Sequence, residues 1–288
     1  FIRTLVSSNQ LFVKMVAPFT SIILFLQNIS NYTKSKKKYT RWIKKHPDGL
    51  FETKEKLIFK IFEDVSSLSR VLLDSGNYEV KETKLVKKII KKNMTIIDAG
   101  ANFGWYSLTF ANLIGKNSKS RIYSFEPIPE VFKELNLNIK LNHFKNIKTF
   151  NCALGSKNSN VKLGVPYFNF IGSSGATSEF LNFSKKINCR IHTIDTIVKL
   201  NKIKNIDFLK ADIEGGELNL LKGAEKTLQL HKPKIFIEIV DIHCSRFGHT
   251  QRDVIKFLIN LNYKGFFMNN GLTKINLKKP QNGNYLFV

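Results

Sequence analysis

The residues most able to do chemistry stand where an apolar run gives way to a glycine turn. Ile96 and Ile97 lead into Asp98, then Gly100-Ala101-Asn102, Gly104 and Tyr106. Such a turn at the carboxyl end of a strand in an open α/β sheet is where nucleotides bind. Glycine there permits positive φ and a close approach of backbone to ligand. A dinucleotide site would use G-x-G-x-x-G, with pyrophosphate on the helix N-terminus. The spacing Gly100-x-Asn102-x-Gly104 departs from that pattern. An acid at Asp98 would repel pyrophosphate, yet it suits the ammonium and sulfonium of S-adenosylmethionine. Glu126, 28 residues further on in Ser124-Phe125-Glu126-Pro127, is placed to accept both ribose hydroxyls. The plainer alternatives are a helix-start acid at Asp98 and a solvated loop acid at Glu126.

The elements that must position these residues alternate along the chain. Strand-like runs cover Thr95–Ile97, Arg121–Phe125, Ile147–Leu154, Ile206–Lys210 and Lys234–Val240. Helical spacing covers Thr83–Lys92, Tyr106–Ile114, Val131–Asn142, Leu218–Leu228 and Arg252–Leu261. Short apolar strands separated by helices imply a parallel sheet covered on both faces. Gly265–Met268 and Tyr285–Val288, separated by turn residues, read as a closing antiparallel hairpin. The division of the chain is therefore an N-terminal helical extension over 1–75 and an α/β domain over 76–288. The domain from about residue 76 onward is expected to fold without the extension.

With Asn151-Cys-Ala-Leu-Gly155, the Asp207 to Glu217 segment with Leu221-Lys-Gly-Ala224, and Glu238, the chain carries five blocks in one order. Together they resemble the FkbM family of methyltransferases from about residue 80 to the C-terminus. The resemblance implies a class I methyltransferase fold, Rossmann-like and doubly wound, with a mostly parallel seven-stranded sheet. It also implies S-adenosyl-L-methionine as cofactor and, usually, O-methylation of a hydroxyl on a sugar, glycan or secondary metabolite. Carried over position by position, Asp98, Gly100, Ala101, Asn102, Gly104 and Tyr106 form the methionine end of the cofactor site. Glu126 holds the ribose, and the Asn151–Leu154 turn, with Asn151 and Ala153, flanks adenine. Lys210-Ala211-Asp212 stands where the family commonly has Lys-Ile-Asp.

Methyl transfer needs in-line alignment and help in removing a hydroxyl proton. Lys210-x-Asp212-x-Glu214 follows the fourth strand, the neighbour of the first in a doubly wound sheet, so its acids face the transferred methyl. Asp212 is a cofactor contact or a base; Glu214 and His243 are the other candidate bases. Asp212, Glu214, Glu238 and His243 could instead bind a divalent ion, since hard cations want oxygen ligands; the assignment adopted is no metal. His243 alone on a loop is also compatible with a surface residue. Gly172-Ser-Ser-Gly175 reads as a mobile loop near the site, or as a surface hairpin. Rival readings are an N-methyltransferase, a non-catalytic cofactor-binding module and an RNA methyltransferase. Only charge favours the last, and the chain has neither Asn/Asp-Pro-Pro-Tyr nor a paired-cysteine motif.

That charge is +24 over 288 residues, and lysine supplies 39 of the 46 basic side chains. Nucleic-acid readers exploit the planar fork of arginine. A lysine excess with abundant Ile, Asn and Phe fits the codon drift of an A+T-rich genome, and no nucleic-acid partner is expected. An apolar run over Leu11–Ile29 precedes a cationic run through Lys34, Lys36, Lys37, Lys38, Arg41, Lys44 and Lys45. Residues 11–45 thus read as a peripheral anchor on an anionic membrane, or as a helix packed on the domain. Cys152, Cys189 and Cys244 form no paired motif, which fits a reducing cytoplasm.

Overall fold

The computed structural model describes residues 34, 36–62, 67–115, 120–166 and 184–288. The Leu11–Ile29 run and the Gly172–Gly175 loop lie outside the described residues. Helix α1 (36–43) leads into a hairpin of β1 (Leu50–Glu52) and β2 (Ile58–Lys60), then α2 (Ser67–Ser75) and α3 (Val80–Ile89). The alternating part follows as β3 (Thr95–Ala99), α4 (Trp105–Ile114), β4 (Arg121–Phe125), α5 (Pro129–Leu141) and β5 (Ile147–Phe150). A short β6 (Ala153–Leu154), β7 (Ser159–Pro166) and β8 (Ser184–His192) come next, then α6 (Ile194–Leu200) and β9 (Phe208–Ala211). The remainder is α7 (Glu217–Lys222), α8 (Glu225–His231), β10 (Lys234–Ile239), α9 (Asp241–Arg246), α10 (Gln251–Asn260), β11 (Gly265–Met268), β12 (Leu272–Lys274) and β13 (Gly283–Phe287).

The main sheet runs β12-β11-β13-β10-β9-β3-β4-β5. From β10 to β5 neighbouring strands are parallel, and β13 pairs antiparallel with both β10 and β11. The centre is apolar because both faces are covered: β9 is buried at every position and β3 from Ile96 onward. Helix α4 is buried nearly all round, which is why it lacks a polar face. One core joins α6, α7, α8 and α10 to one face of the sheet. The other joins α3, α4, α5 and the β1–β2 hairpin to the opposite face, which makes the sheet doubly wound.

Several expectations are corrected. Among the described residues the sheet has eight strands, not seven, because the short and wholly exposed β12 adds to the edge of β11. The hairpin expected at the end is the β11–β13 pair, with β13 wedged against β10. The run Ile147–Leu154 is two strands: β5 stays in the main sheet, while β6 pairs with β8 in a separate sheet ordered β6-β8-β7. The helix expected over Leu218–Leu228 breaks at Gly223, where an added Cβ would lie 2.0 Å from the Gly155 carbonyl oxygen.

The stretch before residue 76 is not simply helical. Its β1–β2 hairpin docks on α5, where Asn142 Nδ2 donates to the Ile58 carbonyl and Asn142 Oδ1 accepts from the Ile58 N–H. Leu57, Phe59, Ile61 and Leu72 are buried in the same core as α4 and α5. A boundary at 76 therefore cuts through that core. Among the described residues no helix is long and apolar enough to cross a membrane.

Candidate active site

The turn from β3 into α4 is shaped by two close approaches. Gly100 sits at φ +73°, and an added Cβ would lie 1.9 Å from the Asp212 carbonyl oxygen. Gly104, at φ +101°, begins α4 and lies against Leu108 and Leu135, so its need for glycine is one of packing and conformation. The Gly100 and Ala101 N–H groups both donate to the Phe125 carbonyl, which ties the turn to the end of β4. Just past that end, the Glu126 carboxylate accepts from the Asn102 N–H through Oε2 and from the Ile128 N–H through Oε1, each at 3.0 Å. Burial raises its pKa to about 7 against the pull of these donors. Asn151 clips this loop in place, its Nδ2 donating to the carbonyls of Glu126 and Pro127.

A cavity of about 310 Å³ opens over these turns, within the range of small-ligand sites. Gly100, Ala101, Asn102 and Glu126 form one wall. Ala153 and Leu154, with Val161 and Leu163 of β7, supply an apolar wall beside Glu126. Tyr106, Lys210, Asp212 and Glu214 line the end that adjoins Gly100, and Tyr78 and Glu79 line it from the turn before α3.

Lys210 is the buried cation of that end. Its Nζ donates to the Gly100 carbonyl at 3.1 Å, pairs with Asp212 at 3.4 Å, and stands 5.1 Å from the centre of the Tyr106 ring. Burial alone would favour a neutral amine, but Asp212, Asp98 and Glu79 outweigh it and raise its pKa. Asp98 is fully buried and absent from the cavity wall. Its Oδ2 accepts from Ser107 Oγ at 2.6 Å, and its Oδ1 lies 3.9 Å from Lys210 Nζ. Asp98, expected at the methionine end of the cofactor site, is thus held against Ser107 and near Lys210 rather than in the cavity wall.

Beyond Asp212, Glu214 takes a left-handed conformation at φ +58°. Burial, then Asp212 and Glu217, push its carboxyl up to about 7. His243 Nδ1 lies 3.0 Å from Glu214 Oε2, though without hydrogen-bond alignment. Burial and Arg246 hold the imidazole below its usual range. His243 stands behind Glu214 rather than in the cavity wall. Glu238 is pushed up to about 8 by burial, Asp212 and Glu214. Glu217 instead receives the Ile213 and Gly215 N–H groups on Oε1 and shapes the turn. Among the described residues no group of three or more His, Cys, Asp or Glu side chains has the arrangement of a metal site.

Residues 98–265 match the model of the methyltransferase FkbM domain, well over half of the chain. The chain belongs to the FkbM methyltransferase family. Methyltransferase 1 of Beauveria bassiana (strain ARSEF 2860) is 24% identical over 147 residues, which cover 45% of this chain. Methyltransferase sdnD of Sordaria araneosa is 27% identical over 167 residues, which cover 48% of it. The chain spans 58% and 62% of the length of these two relatives. The solved structure of an FkbM methyltransferase from Methylobacillus flagellatus KT aligns with a TM-score of 0.45 at 16% identity. That alignment covers 91% of this chain and 59% of the other.

An FkbM methyltransferase uses S-adenosyl-L-methionine, and this cavity fits it. Gly100, Ala101 and Asn102 line the cavity, and the Glu126 carboxylate retains lone pairs for ribose hydroxyls. The apolar wall at Ala153 and Leu154 suits a purine, while the acids around Lys210 suit a cationic end. Gly104 and Asn151 support this FkbM site from outside its wall. Tyr78 and Glu79 belong to it although no sequence pattern marks them: they follow an ordinary turn and precede the matched segment.

Proposed function

We propose that this chain transfers the methyl group of S-adenosyl-L-methionine to a hydroxyl oxygen of a sugar, glycan or secondary metabolite. The observation that carries this reading is Glu214. It is a carboxylate at the end of the cavity, with a pKa near neutrality and His243 3.0 Å behind it. A general base works best when its pKa lies near the working pH. The bound cofactor supplies an electrophilic methyl group whose sulfur leaves as a neutral thioether, so no acid is needed there. Glu126 would hold the ribose and the Gly100 turn the methionine end, and Asp212, paired with Lys210, lines the same cavity as Glu214. As the acceptor oxygen forms its bond to carbon, its proton passes to Glu214.

The test is transfer from methyl-labelled cofactor into a panel of hydroxyl-bearing sugars and into fractionated extract, with the labelled product characterised by mass spectrometry. A methyl ether, lost with Glu214→Gln, supports the reading; a methyl on nitrogen overturns it. Peripheral contact with an anionic membrane through residues 11–45 belongs to the same proposal. It is supported by α1, whose Tyr39 and Trp42 pack on the core while Lys36, Lys37 and Arg41 are exposed. Co-sedimentation with anionic vesicles should weaken as salt rises.

A further inference from the structure

A cationic amino-acid end wants an anion beside it, and the acid of the glycine motif is turned away from the cavity. Asp98 is wholly buried, spent on Ser107 and close to Lys210. Across the same space stands Glu79, which lines the cavity and lies ahead of the segment that matches the family model. The turn that carries it starts at Gly76, with φ +71°, and ends at Glu79 itself, at φ +44° and ψ +61°, a region that side-chain-bearing residues enter only where neighbours hold them. The neighbours here are phenols. Tyr106 Oη donates to Glu79 Oε2 at 2.6 Å, and the Tyr78 phenol neighbours the same carboxylate.

We propose that Glu79 binds the α-ammonium of S-adenosyl-L-methionine, with the Tyr106 hydroxyl fixing its carboxylate. This rests on the cofactor assignment above. Asp212 is close enough to disfavour the charge of Glu79. Lys210 is the cation beside them, and its donors are already directed at the Gly100 carbonyl and Asp212. An ammonium entering between Glu79 and Asp212 relieves that repulsion and completes the hydrogen bonding of Glu79. Tyr106 thereby links the first turn of α4 to the acid before α3, so the ammonium is gripped by two elements on one side of the sheet.

The experiment is calorimetry of wild type and Glu79→Gln with three ligands: S-adenosylhomocysteine, its analogue lacking the α-amino group, and 5′-methylthioadenosine. Wild type should bind the first more tightly than the second. Glu79→Gln should weaken the first about tenfold or more, the loss of one charge-assisted hydrogen bond, and leave the other two unchanged. An equal loss for the amino and deamino ligands would overturn the proposal, because Glu79 would then merely shape the site through Tyr106. No loss for either would overturn it as well. A wild type that binds none of the three overturns the cofactor assignment itself. Should Glu79→Gln fail to fold, Tyr106→Phe removes one supporting phenol; a smaller loss confined to S-adenosylhomocysteine is expected, and a loss shared with the deamino ligand overturns the proposal.

Discussion

Glu126 serves the fold and the ligand with one carboxylate. Replacing it with Gln is expected to weaken cofactor binding by roughly 1.5–3 kcal/mol, the range for hydrogen bonds to a charged group. The fold should suffer too. Glutamine offers one acceptor oxygen where the Asn102 and Ile128 N–H groups now use two, and a buried donor left short costs about 1–3 kcal/mol. Calorimetry with S-adenosylhomocysteine and a thermal melt separate the two losses; an unchanged dissociation constant would leave Glu126 a purely structural acid. Gly100→Ala is expected to abolish the folded protein, since its Cβ would collide with the Asp212 carbonyl. Gly248→Ala, also at positive φ but with nothing within 4 Å, should lose only about 1–2 kcal/mol by urea titration. Gly100 and Glu126 were legible because their chemistry is local: a glycine turn after an apolar run, and an acid after the next. Asp98 was legible as a residue but not in its placement, because its partners Ser107 and Lys210 come from elsewhere in the chain. Glu79 had no pattern at all; only the folded turn brings it to Tyr106.

The β1–β2 hairpin shows how an element outside the motif blocks becomes part of the domain. Phe59 is fully buried and stacks at 5.4 Å on Trp105, the first residue of α4. Phe59→Ala should therefore cost about 3–5 kcal/mol, read as a lower urea midpoint at unchanged slope. A chain starting at residue 76 should lack a cooperative melt, while one starting near residue 48 should keep it; equal melts would mean that the hairpin is dispensable. The interior strands could be read from the sequence because a doubly covered strand is a mostly apolar run, as in β3, β9 and β10. Local pattern misleads where a distant contact decides. Nothing near Gly223 announces that Gly155 must press against it, and nothing in Ile147–Leu154 announces that its end will leave the sheet for β8. Strand β12 escaped notice because all its side chains are exposed, which leaves no alternation to detect.

Taken whole, the molecule sets a surface of strong positive charge around an acid-lined cavity. Glu126, Glu214 and Glu217 are each raised to about 7, against about 4.3 in an unfolded chain. Between those values the folded state holds protons that the unfolded state has released. Their contribution to stability then falls as pH rises through that window and levels off above it. The melting temperature should accordingly be higher at pH 5.5 than at pH 8; the reverse order would mean that these carboxyls are already ionised in the folded protein at pH 5.5. Bound S-adenosyl-L-methionine, a cation, favours the ionised carboxylates, so its stabilising shift should grow across the same interval. A different kind of connection runs through Asn138 of α5, whose side chain serves two separate stretches of backbone. Its Oδ1 accepts from the Lys60 N–H, and its Nδ2 donates to the Phe103 carbonyl, each at 2.9 Å. Any ligand that steadies the Phe103 turn steadies the second tether as well. Deuterium uptake at the Lys60 amide should slow when cofactor binds, although Lys60 is no part of the cavity wall. Uptake indifferent to the cofactor would mark the hairpin as a unit that opens on its own schedule.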